Sequence, residues 1–226
     1  MIPWLNSNDP FPPLHTALEE PNGLLAAGAD LSPRRIIAAY SLGIFPWYGD
    51  DAPILWWSPN PRMVLFTDKL HVSESLHKTL RKTSIQIRTN TAFRGVLDQC
   101  ATTREGQDGT WIGPDMMTAY MALHSLGYAH SVEAWLNDEL VGGLYGLQVG
   151  RMFYGESMFT RVPNASKIAL VYLVMHLRKL GFPMIDCQQE TPHLASMGAC
   201  PISRVEFAKR IKPLVRVQPQ PQLFDI

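Results

Sequence analysis

The chain has 226 residues, 46% of them hydrophobic and 18% charged, with 20 basic and 20 acidic side chains that cancel. That balance lies outside the disordered regime and supplies a core for one domain, or for a small domain fused to a larger one. A neutral chain is not a general nucleic-acid binder, so RNA contact would need a local basic patch, and no run approaches the ~18 apolar residues of a membrane span.

The start, Met1-Ile2-Pro3-Trp4, lacks the basic and apolar regions of a signal peptide. The cysteines Cys100, Cys187 and Cys200 have no C-x-x-C spacing, which argues against a disulfide framework or a zinc site. A cytoplasmic protein without a metal is the expectation.

In chain order, residues 1–62 are rich in proline and aromatics and read as packed loops, short strands and one helix. That helix takes Ser32 as its cap, Pro33 at its first position, runs from Arg34 to Ser41 and stops at Gly43. Trp56-Trp57 and Met63 to Phe66 are strand-like. Ser73 caps a basic helix to about Lys82 that displays Lys78, Arg81 and Lys82 together. A solvated helix face explains such a cluster as readily as an RNA contact does.

From about residue 85 the pattern becomes regular. It predicts a strand over Ile85–Arg88, helices over Ala92–Cys100 and from Pro114 to Gly127, then strands His130–Leu136 and Glu139–Val149 joined by the hairpin signal Asn137-Asp138. A strand over Met152–Phe159 follows, then a nearly all-apolar helix over Ala165–Leu180, a strand over Pro183–Cys187, and short helices near Pro192–Ser196 and Ser203–Ile211. This is an α+β order: antiparallel strands, a buried helix, then one more strand. It is the core arrangement typified by N-acetyltransferases.

Such acetyltransferases hold the coenzyme A pyrophosphate on a glycine-rich turn before the central helix, because phosphate must approach the backbone closely. The corresponding turn here, Thr160-Arg161-Val162-Pro163-Asn164-Ala165, has no glycine, and Pro163 has no N–H. Another acyl carrier is expected, and no cofactor. In Phe153-Tyr154-Gly155-Glu156-Ser157-Met158-Phe159, Gly155 suggests a bulge that opens a slot and re-aims Glu156. The plain alternative is a core strand with one exposed acid. In Ile185-Asp186-Cys187-Gln188, strand alternation puts Asp186 and Gln188 on one face and turns Cys187 away. Asp186 and Gln188 could then bond a nucleophilic amine and a carbonyl, unless Asp186 merely caps the next segment. Among the aromatics, Trp47 and Trp111 sit in glycine-flanked loops, which favours an exposed role such as stacking on a base.

These stretches bring out a resemblance. Together with Glu20-Pro21-Asn22-Gly23-Leu24-Leu25, Gly43-Ile44-Phe45-Pro46-Trp47, Ile54-Leu55-Trp56-Trp57-Ser58-Pro59, Gly109-Thr110-Trp111-Ile112 and Leu140-Val141-Gly142-Gly143-Leu144-Tyr145-Gly146, they closely resemble the leucyl/phenylalanyl-tRNA–protein transferases of bacteria. The resemblance implies transfer of Leu or Phe, and sometimes Met, from aminoacyl-tRNA to the N-terminal amine of proteins beginning with Arg or Lys, which marks them for N-end rule degradation. It also implies a small N-terminal α/β domain, 1–62, and an acetyltransferase-like (GNAT-type) domain, 63–226.

Residue by residue, the resemblance makes Asp186 and Gln188 the catalytic pair, with Asp186 orienting the Gln188 amide. It puts Trp47 and Trp111 on the 3′-terminal adenosine with Tyr40 and Tyr120 nearby, Leu144, Phe153, Leu170 and Ile185 around the apolar side chain, Glu156 near the acceptor, and Lys78, Arg81 and Lys82 on the tRNA backbone. Ala29, Asn60, Leu144 and Gln189-Glu190-Thr191-Pro192 depart from the expected pattern without removing a catalytic group. A coenzyme A-dependent acetyltransferase and a non-catalytic RNA-binding module are the rival readings.

Overall fold

The computed structural model describes residues 1–49, 51–102 and 112–217. The first part of the chain builds a four-stranded sheet from β1 (Trp4–Leu5), β2 (Leu24–Gly28), β3 (Phe45–Pro46) and β4 (Leu55–Trp57), in the order β1-β2-β4-β3. Helix α1 (Pro33–Ser41) lies between β2 and β3 in the chain and starts as its sequence dictates. The Ser32 hydroxyl accepts the Arg35 N–H, and Pro33 occupies the first turn, where a missing N–H costs nothing.

The rest forms a seven-stranded sheet in the order β11-β5-β10-β9-β8-β7-β6. Its strands are β5 (Arg62–Phe66), β6 (Gln86–Thr89), β7 (Ala129–Leu136), β8 (Glu139–Val149), β9 (Met152–Thr160), β10 (Met184–Gln188) and β11 (Cys200–Ile202). Between them run α2 (Glu74–Lys82), α3 (Phe93–Ala101), α4 (Pro114–Ser125), α5 (Ala165–Lys179) and α6 (Pro192–Ser196), and α7 (Arg204–Leu214) follows β11. Neighbouring strands are antiparallel except β9 and β10, which run parallel because α5 crosses between them.

Both faces of the central strands β8, β9 and β10 are covered, so apolar side chains point to either side rather than alternating with exposed polar ones. Successive residues feed two different cores. Leu144, Phe153 and Ile185 pack towards α5, while Tyr145, Tyr154 and Met184 pack towards α3 and α4. Ile36, Tyr40, Phe45 and Trp57 from the small sheet and α1 join the second cluster, as does Phe207 of α7. Gly142 lets α5 settle on β8, since a Cβ there would stand 2.5 Å from the Ala165 Cβ.

The helices and the β6–β10 strands lie within a few residues of their expected bounds, and the Asn137-Asp138 turn has φ values of 52° and 60°, the two-residue hairpin geometry. Short strands were expected within residues 1–62 without bounds, and β1, β2 and β3 supply them; β11 was not foreseen. β3 and β11 contain Pro46 and Pro201, residues that weaken any strand reading, yet both lie at sheet edges, where a missing donor is tolerated.

Candidate active site

The parallel strands β9 and β10 pair at Phe153 with Ile185 and at Tyr154 with Asp186. Just beyond lies a cavity of about 1070 Å³, bordered by Gly155 to Thr160 on β9, by Ile185, Cys187 and Gln188 on β10, and by Leu170 and Leu173 on α5. Leu144 and Tyr145 both border it. Because these neighbours belong to opposite faces of the sheet, the cavity connects the two faces through the gap between the strands.

The bulge expected at Gly155 is present. Tyr145 pairs with Ser157 and Gly146 with Gly155, so Glu156 is the extra residue on β9. The Tyr40 hydroxyl donates to Glu156 Oε1 at 2.8 Å, and the Tyr40 and Tyr120 hydroxyls meet at 2.8 Å. Each hydroxyl has one hydrogen, so when Tyr40 donates to Glu156 it is Tyr120 that donates to Tyr40. Burial raises the Glu156 pKa to about 7; the tyrosine hydrogen bonds pull it down, Asp186 pushes it up and Arg62 pulls it down.

This placement corrects one expectation. Tyr40 and Tyr120 are fully buried, with Tyr154 edge-on to Tyr40 and Tyr145 edge-on to Tyr120. Neither ring is open to a nucleoside base. Their hydroxyls instead serve Glu156.

Asp186 is buried completely. Arg62 Nε donates to its Oδ1 at 2.8 Å and Arg62 Nη2 to its Oδ2 at 2.6 Å, a two-pronged pair. The guanidinium lies between the rings of Phe45 at 4.7 Å and Phe207 at 4.6 Å, and its Nη1 donates to the Gly43 carbonyl at 3.0 Å. Arg62 therefore ties α7 and the end of α1 to β10. Sequence reasoning missed it. The available signal was a lone cation entering the apolar strand Met63–Phe66, which demands a buried counter-charge.

The link between Asp186 and Gln188 also differs from expectation. Asp186 Oδ1 accepts the Gln188 backbone N–H at 3.0 Å, not its side-chain amide. Gln188 has φ 54°, and the pairing of β10 with β5 shifts register between Asp186 and Gln188. Strand alternation consequently fails there. Ile185, Cys187 and Gln188 border the cavity and Asp186 does not, so Cys187 is not turned away from it. Its thiol is held protonated by burial first and by Asp186 second, which opposes a thiolate nucleophile. The Gln188 Nε2 is shielded from solvent and has no hydrogen-bond partner among the described residues.

Leu144, Leu170 and Ile185 form an apolar wall on the α5 side, with Phe153 fully buried beside Ile185. Trp47 stands on the rim, 39% exposed and edge-on to Trp57. Trp111 lies outside the described residues. Lys78, Arg81 and Lys82 are exposed on α2 and do not border the cavity. The turn into α5 contributes Arg161 and Asn164 to the cavity lining and the first turn of α5 contributes Ser166 and Lys167; Asn164 takes a left-handed φ of 69° without glycine.

An apolar wall, an unengaged amide and a semi-buried carboxylate meeting at a gap between two strands suit acyl transfer to an amine. Residues 64–212 match the model of the leucyl/phenylalanyl-tRNA protein transferase family, and residues 29–60 match that of its N-terminal domain. The chain belongs to this family. Relatives named leucyl/phenylalanyl-tRNA--protein transferase include that of Nitrosospira multiformis, 62% identical over 95% of this chain and 93% of its own. That of Chromobacterium violaceum is 60% identical over 98% and 94%, and that of Pseudomonas aeruginosa 56% over 100% and 99%. A GCN5-related N-acetyltransferase from Kribbella flavida aligns with 71% of this chain and 57% of its own, at 10% identity and a TM-score of 0.39, a likeness too slight to add to the family match. As a leucyl/phenylalanyl-tRNA protein transferase family member, the chain is an aminoacyltransferase.

Proposed function

We propose that the chain takes leucine or phenylalanine, and by the same pocket methionine, from its tRNA. It joins that residue to the N-terminal amine of cytoplasmic proteins beginning with Arg or Lys, which marks them for N-end rule degradation. The observation that carries this reading is the meeting of the apolar wall of Leu144, Leu170 and Ile185 with the unpartnered Gln188 Nε2 at one cavity. The donor ester is converted into an amide, so transfer runs downhill without a nucleotide or a cofactor.

In this reading the donor's side chain packs on the apolar wall, with Trp47 and Trp111 stacking on the terminal adenosine. Lys78, Arg81 and Lys82 lie along the tRNA backbone. Gln188 Nε2 donates to the ester carbonyl, whose oxygen gains charge as the tetrahedral intermediate forms. Asp186, fixed by Arg62, holds the Gln188 backbone in its left-handed conformation. Glu156 faces the acceptor amine.

An apolar pocket separates side chains differing by one methylene by only ~1–3 kcal/mol, so Leu, Phe and Met are all accepted, while β-branched Ile and Val are excluded by shape. The test is transfer of labelled amino acids from tRNA to peptides differing only in their first residue. Leu and Phe should reach the Arg and Lys peptides and not an Asp peptide. Equal transfer to all three peptides, or comparable transfer of Ile and Val, would overturn the assignment.

A further inference from the structure

At neutral pH the acceptor arrives mostly as an ammonium ion, because an α-amino group titrates near ~8, and an ammonium has no lone pair for attack. Some group must take a proton. Asp186 is poorly placed to do so. It does not border the cavity, and its two oxygens already accept three N–H groups, two from Arg62 and one from the Gln188 backbone. The Gln188 amide is not a base, and the Cys187 thiol is held protonated.

Glu156 is placed differently. The bulge takes it out of the strand's alternation, and it borders the cavity. Its identified hydrogen-bond donor is the neutral Tyr40 hydroxyl, backed by Tyr120, and no ion pair to it occurs among the described residues. A carboxylate held by neutral hydroxyls keeps its affinity for a proton.

Resting on the transfer reading above, we infer that Glu156 is the proton acceptor of the reaction, while Arg62 and Asp186 are positioning residues that hold Gln188. The Glu156 carboxylate takes one proton from the acceptor ammonium. The freed lone pair forms the C–N bond at the ester carbonyl carbon. The C–O bond to the ribose then breaks, and the ribose oxygen leaves with a second proton from the attacking nitrogen. Glu156 gives its proton to solvent as the product departs. One ammonium and one ester thus become one amide, one ribose hydroxyl and one released proton.

A Glu156 pKa of about 7 suits this task, since a base works best when it titrates near the working pH. The charged and titratable groups around it are Tyr40 on α1, Tyr120 on α4, Tyr145 on β8, and the Arg62–Asp186 pair on β5 and β10. Cys100, Arg161, Lys167 and His193 border the same cavity.

The experiment compares wild type, Glu156→Gln and Tyr120→Phe with two acceptors. One is a peptide beginning with Arg. The other is hydroxylamine, which is already largely unprotonated at neutral pH. With the peptide, wild-type kcat should fall as pH drops through about 7, and Glu156→Gln should lower kcat by about 100-fold and remove that acid limb. With hydroxylamine, Glu156→Gln should recover to within about fivefold of wild type, because no proton needs removing. Tyr120→Phe, which removes a hydrogen bond that lowers the Glu156 pKa, should move the acid limb to higher pH. The inference is overturned if Glu156→Gln is equally slow with both acceptors, if it raises only the acceptor KM, or if the acid limb survives it or stays put in Tyr120→Phe. Wild type that transfers nothing to the Arg peptide instead sinks the transfer reading itself, and this inference with it.

Discussion

Arg62 shows how one residue can organise a site without touching a substrate. Its guanidinium is buried, doubly bonded to Asp186 and sandwiched between Phe45 and Phe207. Two charges withdrawn from water depend on each other, and removing either strands its partner. Arg62→Ala should therefore lower unfolding free energy by about 3–5 kcal/mol, measured by urea denaturation, and should slow transfer by loosening Gln188. Arg62→Lys should rescue little, since an ammonium cannot make the two-pronged contact. The residues proposed to carry the chemistry could be singled out in the sequence because they sit in short motifs: Glu156 beside Gly155, and Asp186 two before Gln188. Arg62 was not, because its counter-charge lies 124 positions away and only the fold brings them together.

Elements were legible where period and punctuation agreed. Ser32-Pro33 opened α1, Asn137-Asp138 turned β7 into β8, and Gly155 marked the bulge. Alternation misled at the end of β10, because it presumes extended backbone and Gln188 is left-handed. The result brought Cys187 to the cavity and left Asp186 behind it. Tyr40 and Tyr120 were misplaced for a related reason: aromatic sequence context does not distinguish a ring that stacks on a ligand from one that buries and lends its hydroxyl. The seat of α5 on β8 is a further element-scale feature. A methyl group at Gly142 would press on Ala165 at 2.5 Å and push α5, with Leu170, away from the sheet. Gly142→Ala should thus cost about 1–3 kcal/mol in denaturant titration and reduce selection between Leu and Val donors.

Across the whole molecule, the sequence pattern conveyed the α+β order but not that the two sheets share a core. Ile36, Tyr40, Phe45 and Trp57 pack with Val64, Tyr145 and Phe207, contacts between segments with no local sequence signature. The consequence is that α1 supplies Tyr40 to Glu156, so the proposed acceptor site depends on the N-terminal part of the chain. Charge is also a whole-molecule property here. The chain is neutral overall, and the exposed Lys78, Arg81 and Lys82 are concentrated on α2. If they follow the tRNA backbone, replacing all three with Ala should weaken tRNA binding and lower the slope of log K against log salt by about 2–3, at ~0.7–0.9 per phosphate contact, without changing kcat at saturating tRNA. An unchanged slope would return α2 to an ordinary solvated helix.

In the proposed reaction the acyl group passes from tRNA straight to an amine at the cavity beside β9 and β10. The direct measurement is a single-turnover rapid quench with tRNA carrying labelled leucine, excess enzyme and a peptide beginning with Arg. Label should leave the tRNA ester and appear in the peptide at the same rate, with none on the protein at any time, in wild type and in Cys187→Ala alike. Label that stays on the tRNA would rule out the transfer, and label that accumulates first on the enzyme would rule out direct attack by the amine.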